Sequence, residues 1–281
     1  MKPLSTPIPR KAPTVMRSQA YLVALSLVAI AGCDLPGQPN PADRPVPSDK
    51  VMEFAVLFQQ NCAGCHGDDG KLGAAPPLHD PLFRAIVPED ELISILNKGR
   101  QKTLMPAFSK ENGGTLTPAQ IQVLVKEIKG IPYRIVEKKE SGSVQFEVVA
   151  VSSGITPRWG LVAKPPADAP SYREPSASST GNSPGNEKKG ELVYARACAG
   201  CHGDHGQGIE RESKTVRTIN DAVFLALISN QALRRLAITG RPDLGMPTYA
   251  EARPANPAFV PLTDQEITDL VAMLASWREH K

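Results

Sequence analysis

The chain has 281 residues, 41% hydrophobic and 22% charged, an ordinary globular composition with room for about two domains. Aromatics at 5% are too few for a large aromatic core in either. The formal charge of +3 gives no argument for nucleic-acid binding, because residues 1–32 carry four bases (Lys2, Arg10, Lys11, Arg17) and no acid, and their removal leaves −1.

From the N-terminus, the basic stretch is followed by an apolar run from Ala20 to Ala31 and then small residues ending at Cys33. Such a run is too short to span a bilayer, which takes about 20 residues, so residues 1–32 read as a cleaved secretory signal. The quartet Ile30-Ala31-Gly32-Cys33 resembles the lipobox of bacterial lipoproteins. That resemblance implies acylation of Cys33 and a place in the bacterial cell envelope, lipid-anchored to the cytoplasmic membrane and facing the periplasm. Asp34 resembles the inner-membrane retention signal of some bacteria. Residues 33–48, with Pro36, Pro39, Pro41, Pro45 and Pro47, read as an extended tether.

Residues 49–131 and 186–281 then look like two copies of one helical unit. Cys62-Ala63-Gly64-Cys65-His66-Gly67-Asp68 recurs letter for letter as Cys198-Ala199-Gly200-Cys201-His202-Gly203-Asp204. Phe58 and Tyr194 each stand four residues before the first cysteine. Gly99-Arg100 leads to Met105-Pro106 and Phe108, and Gly240-Arg241 leads at the same spacing to Met246-Pro247 and Tyr249. Each copy closes on a helix with a clear start: Thr117 before Pro118, and Thr263 with Glu266 three residues on, a capping box. Between the copies, residues 132–185 differ in character. Val144, Phe146 and Val148 alternate as in a strand. Ser171 to Lys189 is rich in Ser, Pro, Gly and Asn and reads as a flexible linker.

Cys-x-x-Cys-His on a helical turn puts residues i, i+3 and i+4 on one face, so two thiols can add to the vinyl groups of one porphyrin while the imidazole reaches its iron. This is the c-type haem attachment pattern, assigning Cys62, Cys65, Cys198 and Cys201 to two covalent haems and His66 and His202 to iron. A zinc site would need a second cysteine pair in each unit. A redox dithiol would need a thioredoxin-like alternation of strands and helices. For the sixth iron position, Met105 and Met246 occupy matching frames before prolines, whereas Met52 and Met273 sit in helical patterns and read as core. Thioether opposite imidazole raises the reduction potential. His79, His205 and His280 read as solvated or hydrogen-bonded surface residues, with His79 the best alternative ligand in the first unit. A carbonyl of Pro76-Pro77-Leu78, with Pro76 the candidate, can accept from the second ring nitrogen of His66. The second copy has no proline there, which leaves the partner of His202 open.

Both halves resemble class I cytochrome c domains: an N-terminal helix leading to CxxCH, a Pro-bearing loop, a Met loop and a crossing C-terminal helix. The fold class is mostly α, two such domains in tandem joined by an irregular, partly β segment and a flexible linker. The resemblance implies that the C-terminal helix with Leu270, Leu274 and Trp277 crosses at Gly190. The first domain has Phe54 in that place and no aromatic to match Trp277, so a looser crossing is expected there. With cores this small, the porphyrin completes each domain and the haem-free chain is expected to be mostly unfolded. The implied function is an electron carrier, not an enzyme: a membrane-anchored dihaem cytochrome passing single electrons in a bacterial respiratory chain, as in a subunit of a quinol-oxidising complex. Its implied partners are redox proteins (a membrane complex, an oxidase or a soluble carrier) and no nucleic acid. The alternative is a dihaem peroxidase, which needs one iron with a displaceable sixth ligand; two Met-Pro loops argue against it. A sensor would need a signalling module that the chain lacks.

Overall fold

The computed structural model describes residues 45–101, 103–140, 143–165, 167–173, 184–211, 214–252 and 258–278. The signal segment, Cys33, nearly all of the tether and His280 lie outside them.

Five helices make the first unit: α1 (Phe54–Asn61), the single turn α2 (Ala63–His66), α3 (Pro81–Ile86), α4 (Glu89–Lys98) and α5 (Pro118–Lys129). The same order returns as α6 (Glu187–Ala197), α7 (Ala199–His202), α8 (Ala222–Leu227), α9 (Asn230–Thr239) and α10 (Asp264–Ser276). Local chemistry fixes where these helices begin. Asp80 and Asp221 cap α3 and α8 by accepting from Phe83 N and Phe224 N at 2.7 and 2.8 Å. Thr117 and Thr263 head full capping boxes with Gln120 and Glu266. Gln120 does more than cap, since its Nε2 also donates to the carbonyls of Ser48 and Val51 at 2.7 and 2.9 Å. That ties the last helix of the first unit to the start of the unit.

The terminal helices cross differently in the two copies, as expected. A Cβ on Gly190 would stand 2.2 Å from the carbonyl oxygen of Asp269 and 2.6 Å from the Cβ of Met273, so only glycine allows α6 and α10 to meet there. Phe54, buried at the matching place, leaves α1 and α5 with fewer close approaches.

The first unit does contain an aromatic equivalent to Trp277, but the connecting segment supplies it. Trp159 packs edge-on against Phe58 and Phe54, with centroids 5.0 and 5.3 Å away, as Trp277 packs edge-on against Tyr194 at 5.4 Å. Both indoles press on the same glycine of the repeat: a Cβ on Gly70 would come within 2.5 Å of Trp159, and one on Gly206 within 2.6 Å of Trp277. Arg84, buried on α3, holds the segment in place by donating to Ile128, Trp159 and Gly160 carbonyls at 2.7, 2.8 and 2.7 Å. Glu127 on α5 accepts from Tyr133 Oη at 2.9 Å and from Arg158 N at 2.6 Å. The expected strand around Val144–Val148 is β2 (Ser143–Ala150), paired antiparallel with β1 (Tyr133–Glu140). β1 follows α5 directly and had no alternation strong enough to announce it. The second unit adds a short pair, β3 (Ile209–Arg211) with β4 (Lys214–Val216).

The flexible linker expected over 171–189 needs correction at both ends. Its last residues are the first turn of α6. Its first residues are clasped: Ser171 N donates to Asp264 Oδ1 at 2.8 Å, and its carbonyl accepts from Arg234 Nε at 2.9 Å. The Tyr172 ring is 2% exposed and packs on Phe83, while its hydroxyl accepts from Arg100 at 2.8 Å. Arg173 pairs with Asp90 at 2.7 Å. A polar composition predicted disorder, but one aromatic and three arginines supply enough burial and pairing to order the start of this stretch. The core reflects this, since Leu82 of α3 packs in the cluster formed by α6, α9 and α10.

Candidate functional site

Each CxxCH is a single helical turn continuing the helix before it. His66 N and His202 N donate to the carbonyls of Cys62 and Cys198 at 3.0 and 2.9 Å, so the motif residues project from one face of that turn. Cys62 and Cys198 are buried, and Cys65 and Cys201 are exposed. Burial, with Cys65 alongside as the lesser cause, pushes the Cys62 thiol up to about 12. That is opposite to the lowered pKa of a redox dithiol. Among the described residues no three His, Cys, Asp or Glu side chains converge as a metal-ion site, so neither pair has the ligands of a zinc site.

The ring of His66 is 9% exposed, and its Nδ1 donates to the Pro76 carbonyl at 2.9 Å. Burial lowers its pKa; the Pro76 bond opposes this, and Arg235 and Arg100 lower it further. A neutral imidazole with Nδ1 fixed presents Nε2 as a ligand. The second copy achieves the same layout with a longer loop. Leu78 and His79 donate their backbone N–H groups to Gly70, and Ile219 and Asn220 donate theirs to Gly206. The helix-capping Asp80 and Asp221 follow. In this frame Arg217 stands where Pro76 stands, and the β3–β4 pair absorbs the extra residues. Burial lowers the His202 pKa as well, with the Arg217 backbone opposing. Among the described residues His202 Nδ1 is nevertheless buried without a hydrogen bond of ordinary geometry. The sequence could not show this because the acceptor is a backbone atom, displaced by an insertion.

The methionine loops are built alike, and the glycine–arginine pair explains how. Gly99 and Gly240 end α4 and α9 at φ 70° and 66°, and a Cβ on either would come within 2.7 Å of the Met-Pro backbone. Arg100 N and Arg241 N donate to the carbonyls of Met105 and Met246 at 3.0 and 2.8 Å. The turn is thus closed through the backbone, which leaves each methionine side chain to pack against its own unit's core. His79, the alternative ligand, has its Nδ1 donating to the Asp69 carbonyl at 3.1 Å and its ring stacked on Trp159 at 4.6 Å.

Each unit therefore has two thiols, an imidazole (buried in the first unit, half-buried in the second) and a thioether on a fixed loop. This donor set suits a porphyrin iron and none of the competing sites, so these residues could hold one haem per unit. A fold of this kind around such a site defines a haem electron-transfer protein. The family model for cytochrome c oxidase, cbb3-type, subunit III, matches residues 49–126, and that for cytochrome c matches residues 187–277. The chain belongs to the cytochrome c family and carries two of its domains. No curated protein matches it. No described helix is long and apolar enough to cross a membrane.

Proposed function

We propose that this chain is a dihaem electron carrier of a bacterial respiratory chain, anchored through acylated Cys33 to the periplasmic face of the cytoplasmic membrane. The observation that carries the reading is the double occurrence, in matched positions, of a CxxCH turn and a backbone-closed Met-Pro loop. When bound, haem c supplies a one-electron iron couple. Cys62 and Cys65, and Cys198 and Cys201, hold the two groups by thioether bonds. His66 and His202 are neutral ligands, His66 oriented by Pro76, and Met105 and Met246 offer soft sulfur that favours ferrous iron. The likeness of residues 49–126 to a cbb3-type oxidase subunit supports a redox partner within an oxidase or quinol-oxidising complex.

Met105→Ala and Met246→Ala test the ligation. Each should remove about half of the ferric sulfur-to-iron charge-transfer band and lower one redox wave while sparing the other, with both haems still covalently bound. An unchanged band and unchanged waves in Met105→Ala would overturn the assignment for the first haem. Steady turnover of peroxide by the half-reduced wild-type protein would instead favour a peroxidase.

A further inference from the structure

Arg235 lies on α9 in the second domain, yet its guanidinium is set against the Pro77 carbonyl and the Phe83 ring of the first. Its Nη2 donates to the Pro77 carbonyl, and its guanidinium sits 3.6 Å from the centroid of the Phe83 ring. The side chain is 7% exposed, and among the described residues Nε has no hydrogen-bond partner. The charges facing it are Asp80 of the first domain and the like charges of Arg100 and Arg241. A buried guanidinium with one donor unspent and two cations nearby is a poor stabilising pair. What it does hold is the stretch from Pro76 to Phe83, whose first residue supplies the acceptor for His66. Arg241 reaches the same loop, with Nη2 3.4 Å from the Gly73 carbonyl. The arrangement is not reciprocated: five residues before the glycine of the Gly-Arg pair, the second domain has Arg235 and the first has Ser94.

We propose that Arg235 is a positioning residue of the first iron site, fixing the Pro76–Pro77 turn that orients His66, so that docking of the second domain sets the reduction potential of the first haem. The proposal rests on His66 being an axial ligand. It needs Arg235 to act through the loop, and no contact with the haem is required.

The test uses the full-length holoprotein, with the first haem's wave identified as the one perturbed by Met105→Ala. In Arg235→Gln the first wave and the hyperfine-shifted methyl signals of the first ferric haem should move while those of the second stay in place. Arg235→Lys keeps the charge but lacks the planar fork, and should move the methyl signals with a smaller change in potential. It also serves as the measurable variant if Arg235→Gln does not fold. A purely structural role would lower thermal stability and leave waves and methyl signals unchanged, and that result in either folded variant overturns the proposal. Failure of the ligand reading is distinguishable: His66→Gly would then leave the first wave and its spectrum intact.

Discussion

Gly99 and Gly240 hold positions that no other residue can take without moving a methionine. An alanine at Gly99 must leave positive φ or push back the Met105-Pro106 backbone, at a cost of about 1–3 kcal/mol. Gly99→Ala should therefore weaken the charge-transfer band of one haem while all four thioether bonds persist, measured by near-infrared absorbance and haem-stain electrophoresis. These residues were legible in the sequence because a duplicated chain repeats what its chemistry requires, and the cysteines, histidines, methionines and glycines recur at fixed spacing. Pro76 was also legible, since a proline carbonyl at the right distance from His66 has one obvious use. Arg217 was not, because a backbone acceptor can be supplied by any residue type.

At the scale of elements, the region between the domains gained a role that its sequence had not announced. The hairpin of β1 and β2 leads the chain back to place Trp159 on Phe54 and Phe58, filling space that Trp277 fills in the other copy. Trp159→Ala should destabilise the first domain by about 3 kcal/mol, lowering its transition in a thermal melt followed at the haem bands while leaving the second domain's unchanged. Cap residues gave the starts of α5 and α10 in advance, and the alternation of Val144, Phe146 and Val148 gave β2. The lone Trp159 could not be placed, because its partners lie about a hundred residues upstream and no periodicity links them.

For the whole molecule, the clasp at Ser171–Arg173 replaces the free motion that composition suggested. Tyr172 has its ring on Phe83 and its hydroxyl on Arg100, while its carbonyl accepts from Gln231 of the second domain. Removing the ring in Tyr172→Ala costs contacts worth about 3 kcal/mol and should let the domains separate. The radius of gyration from solution scattering should rise. Wild-type dimensions in that variant would show that Arg235 and Leu82 suffice to join them. Trp159 has a further consequence, for dissecting the gene. A fragment ending at residue 131, where the helical repeat stops, would leave Phe54 and Phe58 facing water and strip Arg84 of two carbonyl acceptors. An autonomous first haem domain has to run to about Gly160, well beyond the border that the repeat itself marks.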